Sequence, residues 1–170
     1  MTDTRATAAT PLTRAFARRP GPGSSRDYLG HLFSFLDESG ETNGSMAIME
    51  VTVRKGLEPP PHTHSREDET YYVLDGRWSF DVGGEPFAAE PGSLVFLPRR
   101  VAHSFSIDSD AARALVILTP GGLEDAFREL SEPTAQAHGL PSRPDGPPPI
   151  ARMAEVFGAH GIEFGPGRTS

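Results

Sequence analysis

His62 and His64 stand two residues apart. Side chains of a β-strand alternate between its faces, so this spacing puts both imidazoles on one face, with Thr63 on the other, and lets them reach one ion together. Three consecutive carboxylates follow, Glu67, Asp68 and Glu69. The polar run 65–68 resets the phase of the chain, after which Glu69, Tyr71 and Val73 share one face and Thr70, Tyr72 and Leu74 the other. A slip of one residue would turn Asp68 inward in place of Glu69, and local alternation does not choose between them. The chemistry of such a set is that of a metal ion. With no cysteine in the sequence, disulfides, thiolate sites, iron–sulfur clusters and a cysteine nucleophile are excluded, and a metal must use His and carboxylate. Imidazole and carboxylate ligands suit Fe(II), Mn(II), Ni(II), Co(II), Cu(II) or Zn(II), so one divalent transition metal per chain is expected.

The surrounding sequence reads as a short-stranded all-β domain of 170 residues, the size of one ordinary domain. Residues 28–36 and 45–53 roughly alternate apolar and polar around a turn-rich link at 37–44, which predicts two antiparallel strands. Pro59, Pro60 and Pro61 lack three backbone donors and form a rigid approach that ends on His62. Further strands are expected at 70–74, 78–82, 93–97, 103–107 and 114–118, punctuated by Gly and Pro, a spacing typical of a sandwich or barrel. After Pro120, the helical spacing of Leu123, Phe127 and Leu130, with Glu124 and Asp125 in the first turn, predicts a helix. Met153, Val156 and Phe157 predict a second, ended by Gly158 and Gly161 and packed on the outside of the barrel. The organisation expected is a mobile tail or arm over 1–26, a barrel over 27–120 and a helical extension over 121–170. No internal repeat is visible, so a single barrel is predicted.

Two stretches carry a family resemblance. Gly56, His62, His64, Glu69 and Gly76 have the spacing of the first conserved cupin motif, and Gly92, Pro98 and His103 that of the second. The sequence therefore resembles a single-domain cupin, a double-stranded β-helix or jelly-roll barrel, and that resemblance selects Glu69 among the three carboxylates and adds His103 as the fourth ligand. Arg100 stands where the second motif usually has glycine, and Ile107 where it usually has asparagine; neither departure removes a ligand. The stretch 59–76, with the later LTPGGLEDAFREL, looks like the cupins grouped with quercetin 2,3-dioxygenases.

That likeness implies a metal-dependent, dioxygenase-type enzyme acting on an enolic or phenolic small molecule, flavonol- or polyketide-like. Its ion would bind a deprotonated enol or phenol oxygen while dioxygen adds to the carbon skeleton. Glu69 would serve both as ligand and as the general base for the substrate hydroxyl. Tyr71 and Phe105, each two residues from a ligand, are expected to line the substrate pocket, with Phe96 and Arg54 as further candidates. His31, His138 and His160 are read as ordinary surface or core histidines. The alternatives are a redox-neutral cyclase, isomerase or lyase of secondary metabolism, and a non-catalytic small-molecule-binding barrel. A formal net charge of -7 argues against nucleic-acid or anionic-membrane partners. The absence of an apolar run long enough for a signal or span points to the cytoplasm, and related cupins imply a homodimer paired through edge strands.

Overall fold

The computed structural model describes residues 14–165. In chain order the elements are β1 (Ser25–Tyr28), β2 (His31–Asp37), β3 (Ala47–Arg54), β4 (His62–His64), β5 (Asp68–Asp75), β6 (Trp78–Val82), β7 (Glu85–Ala89), β8 (Leu94–Leu97), β9 (His103–Ile107), β10 (Ala111–Thr119), α1 (Glu124–Glu129), β11 (Glu132–Pro133), α2 (Ile150–Ala159) and β12 (Ile162–Phe164). One sheet has the order β11-β1-β2-β3-β10-β5-β8 and the other β12-β4-β9-β6-β7. Every pairing is antiparallel. The two faces enclose one core, the jelly-roll expected from the sequence.

The long central strands obey the period of two closely. In β3, Met49, Val51 and Val53 are buried, and in β10 Ala112, Ala114, Val116 and Leu118 are. These two strands pair over eight residues, Ala111↔Arg54 to Leu118↔Ala47, so their apolar faces form one continuous wall. In β5 the inward residues are Glu69, Tyr71 and Val73. A cluster of aromatic rings, Tyr71, Trp78, Phe80 and Phe105, fills the space between the sheets; Trp78 stacks on Phe80 at 5.9 Å and tilts against Phe105 at 5.1 Å. Ring pairs at such separations add packing energy beyond the area they bury.

Departures from the expected elements have local causes. The stretch read as one strand over 28–36 is a hairpin that turns at Leu29 and Gly30, both left-handed (φ 53° and 85°), with the Gly30 N–H donated to the Asp27 side chain at 2.9 Å. β7 carries Pro86, which a sheet tolerates because β7 is an edge strand. Residues 1–13 of the expected tail lie outside the described residues. Residues 14–26 carry contacts to the barrel: Arg18 forks onto Glu41 at 2.7 and 2.9 Å, and the Ser25 and Ser34 hydroxyls bond at 2.8 Å. Glu124 does more than favour a helix dipole. It is fully buried, and its carboxylate accepts the N–H groups of Ser39 and Gly122 at 2.8 and 2.6 Å, which fastens α1 to the β2–β3 connection.

The motif glycines are explained by backbone geometry. Gly76 is left-handed (φ 78°), and a Cβ there would stand 2.7 Å from the Ala112 Cβ, so both conformation and packing demand glycine. Arg100 is left-handed too (φ 65°) and donates its N–H to the His64 carbonyl at 2.7 Å. Its exposed side chain is no compensation for a conformation costing an L-residue about 1–2 kcal/mol. Since glycine gives back some of that gain as unfolded-state entropy, Arg100→Gly is expected to raise the unfolding free energy by about 0.5–1 kcal/mol. Urea titration of the two proteins checks this; a loss of stability would mean the arginine side chain supports the fold.

Candidate metal centre

The ligand residues come from both sheets. β4 carries His62 and His64, and β9 carries His103, placed directly across from His62 in the ladder. Glu69 faces them from β5 in the opposite sheet. One ligand atom from each of the four lies within 4.8 Å of all the others. Ring centroids are 5.2 Å apart for His62 and His64, 4.6 Å for His62 and His103, and 5.0 Å for His64 and His103. The Glu69 Oε2 atom is 3.8 Å from His64 Nε2 and 3.5 Å from His103 Nε2. Such spacing leaves room for one ion between the side chains.

Second contacts aim two of the rings. His62 Nδ1 donates to the Pro60 carbonyl at 2.9 Å and His103 Nδ1 to the Val101 carbonyl at 3.1 Å. A carbonyl can only accept, so Nδ1 carries a proton in each ring and Nε2 is the atom left for the centre. The rigid 59–61 stretch read from the sequence supplies the first of these carbonyls. His103 Nε2 and His64 Nδ1 are buried with no hydrogen-bond partner among the described residues, a costly state for ring nitrogens that a bound cation at the centre relieves at His103. Burial, reinforced by the neighbouring His103, lowers His62 to about 4, and burial lowers His64 as well. Both are therefore neutral near pH 7, the form a metal requires. Burial by itself would raise the Glu69 carboxyl, but the facing His64 and His103 imidazoles outweigh it and hold it below the usual range. Three imidazoles and one carboxylate, mutually facing across the centre, fit a divalent transition metal.

The choice among the three carboxylates is visible in their contacts. Asp68 turns outward and accepts from the Arg99 N–H at 2.9 Å and from its guanidinium at 3.1 and 2.7 Å; that hydrogen-bonded arginine lowers the Asp68 carboxyl to about 2. Glu67 is buried, which raises its carboxyl, and it stands outside the ligand cluster. Glu69 alone faces the histidines.

His62, His64 and Glu69 open onto a cavity of about 470 Å³, within the range of small-molecule sites. Tyr71 and Phe105 line it. Burial and the adjacent Glu69 carboxylate, to which Tyr71 donates, push the Tyr71 phenol well above its usual range. Two other expected pocket residues lie elsewhere. Glu69↔Leu97 and Tyr71↔Val95 pair on the inner face, so the intervening Phe96 projects outward, 55% exposed. Arg54 alternates with inward Val53 and spends its guanidinium on the carbonyls of Gly30 and Pro141, pinning the connection between the two helices. His31 lines the cavity but both ring nitrogens are engaged, by the Arg54 N–H and the Leu57 carbonyl.

Several lining residues were not singled out from the sequence. Tyr28 and Phe33 come from the β1–β2 hairpin, Phe127 from α1, and Phe157 and Phe164 from the last two elements. Helix α2 does not pack outside the barrel as expected; Ile150, Met153 and Phe157 form part of the cavity wall. β12 then pairs with β4, Ile162↔His64 to Phe164↔His62, and brings the Phe164 ring within 6.1 Å of His62. The helical spacing of Met153 and Phe157 announced an apolar face, but not which surface it would cover.

The cupin-domain family model matches residues 49–119, the span that contains all four ligands. The chain is similar to the quercetin 2,3-dioxygenase of Bacillus subtilis, 29% identical over 103 residues covering 61% of this chain and 30% of that enzyme; it thus spans less than a third of that relative's length. It is 32% identical over 87 residues to the uncharacterized protein SCO3923 of Streptomyces coelicolor, covering 51% of this chain and 80% of that one. Among solved structures it resembles an RmlC-like cupin from Shewanella frigidimarina, with a TM-score of 0.52 at 19% identity, covering 61% of this chain and 89% of the other. The two motifs, the two-sheet barrel, the convergent ligands and these matches agree, and the chain belongs to the cupin family.

Proposed function

We propose that the protein is a metal-dependent dioxygenase-type enzyme acting on an enolic or phenolic small molecule, flavonol- or polyketide-like. The observation that carries the reading is the meeting of three imidazoles and a buried carboxylate beside an otherwise largely apolar, aromatic cavity. The similarity to a quercetin 2,3-dioxygenase supports the oxidative class. A divalent ion held by His62, His64, Glu69 and His103 supplies Lewis-acid stabilisation of a deprotonated enol or phenol oxygen.

The chain's own residues do the rest. Glu69 accepts the substrate's hydroxyl proton. Tyr71, protonated at neutral pH, donates to that carboxylate and fixes its orientation. Phe105, Phe157 and Phe164 keep water from the reacting end and offer ring faces to a planar substrate. We further read the protein as a cytoplasmic homodimer; no helix among the described residues is long and apolar enough to cross a membrane. The exposed Leu94 and Phe96 on edge strand β8 offer apolar surface for pairing two copies.

An oxygen electrode tests the proposal. Metal-loaded protein given a flavonol or an enolic β-dicarbonyl compound is expected to consume oxygen in step with substrate loss. Substrate loss without oxygen uptake would assign the same ligands to a redox-neutral cyclase, isomerase or lyase. Binding without conversion, unaffected by metal removal, would make the barrel a carrier.

A further inference from the structure

Most polar side chains that line the cavity are already engaged. His31 is engaged through both nitrogens. Glu58 accepts the N–H groups of Gly56 and Ile107, one on each oxygen. Tyr71 donates to Glu69, and His62, His64 and Glu69 form the metal centre. Arg143 stands exposed at the rim. Tyr28 remains. It lines the cavity and is only 8% exposed, and its hydroxyl makes no hydrogen bond among the described residues.

The hydroxyl is not one of the buried polar atoms left without a partner, so it opens onto the cavity, free to bond what enters there. The ring could be held by packing alone: it contacts Phe33 at 5.1 Å, Phe127 at 5.4 Å and Phe157 at 6.4 Å. Phenylalanine would fill that aromatic nest as well. Burial raises the phenol above its usual range, so it is a hydrogen-bond donor at neutral pH. A wall of rings separates it from the metal centre: Tyr28 to Phe157 at 6.4 Å, Phe157 to Phe164 at 5.9 Å and Phe164 to His62 at 6.1 Å.

We propose that Tyr28 is a specificity-determining residue that donates a hydrogen bond to a polar oxygen of the ligand, at the end remote from the metal ligands. The ligand class is thereby narrowed to aromatic molecules with two polar ends: an enol or phenol oxygen at the metal centre and a hydroxyl or carbonyl oxygen across the ring body. Sugars and nucleotides, polar along their whole length, do not match a cavity with a single free donor in its depth. The inference rests on the reading of this cavity as the substrate site.

The test uses the metal-loaded full chain, kept anaerobic, and two probes. One is a flavonol whose only polar groups are the adjacent enol and ketone; the other carries one added hydroxyl on the ring farthest from that pair. Wild type is expected to bind the hydroxylated probe about tenfold more tightly. Tyr28→Phe is expected to lose that preference while binding the plain probe as before, and its ligand-free melting temperature should be unchanged or higher. A preference retained by Tyr28→Phe, or absent from wild type, overturns the assignment but leaves the cavity as substrate site. A lowered melting temperature, or equal weakening of both probes, overturns it as well, since the hydroxyl would then act through the fold. If metal-loaded wild type binds neither probe, the reading of the cavity fails and the assignment with it.

Discussion

Replacing His62 and His64 together by alanine is expected to reduce bound transition metal from close to one ion per chain to almost none, measured by elemental mass spectrometry on protein purified without chelators. The pair supplies half of the four ligands, and the remaining His103 and Glu69, only 3.5 Å apart, cannot enclose an ion from two sides of the barrel. Loss of an outer hydrogen bond to a ligand already lowers metal affinity about 10–100-fold, so loss of two ligands exceeds that. The fold itself should persist. β4 is three residues long, whereas the core is carried by the β3–β10 wall and the Trp78 cluster, none of which the substitutions touch. Circular dichroism separates the outcomes: a folded, metal-free variant confirms the centre, and a variant that keeps the ion assigns it elsewhere. If wild type too remains metal-free after reconstitution, the dioxygenase reading falls.

Glu69→Gln is the second large expected effect. The amide preserves shape and one carbonyl oxygen but removes the charge and the proton acceptor. General base catalysis contributes about 10²–10⁴-fold, so turnover should fall by that order at saturating metal, with weaker metal retention as a separate, measurable loss. Tyr71, which donates to the carboxylate, still finds an acceptor in glutamine, so the local packing is kept. Full turnover by Glu69→Gln with metal still bound would remove the base role and leave Glu69 a ligand only.

The ligands were legible because they depend on short-range geometry. His62 and His64 needed only the alternation of a strand, and the proline run before them foretold the carbonyl that orients His62. The carboxylate was legible only through family spacing, since the outward turn of Asp68 is set by Arg99, 31 residues further along the chain and just past β8, the strand beside β5. Phe96 and Arg54 show the limit in the other direction. Both have suitable chemistry near the motifs, but the register of β8 against β5 turns one out, and the 141–149 connection claims the other. The hairpin at Leu29 and Gly30 escaped notice because leucine is an unusual residue for a left-handed turn position. The distal half of the cavity was hidden for a different reason. Its walls are docked by α1, α2 and β12, and docking depends on surfaces remote in sequence.

The closing strand has a temporal meaning. β4 meets β9 at a single register pair, His62↔His103, but meets β12 at three. Ser65 adds two bonds to the Gly161 carbonyl, at 2.9 and 2.7 Å. The strand that presents two of the four ligands is thus clasped largely by a segment near the other end of the chain, across a loop whose closure is entropically slow to reward. On a ribosome, the barrel's central ladder is complete once β10 has emerged, while β4 still waits for residues 162–164. Ion capture in this sense follows the docking of β12, and metal occupancy records that this strand has reached its place beside β4.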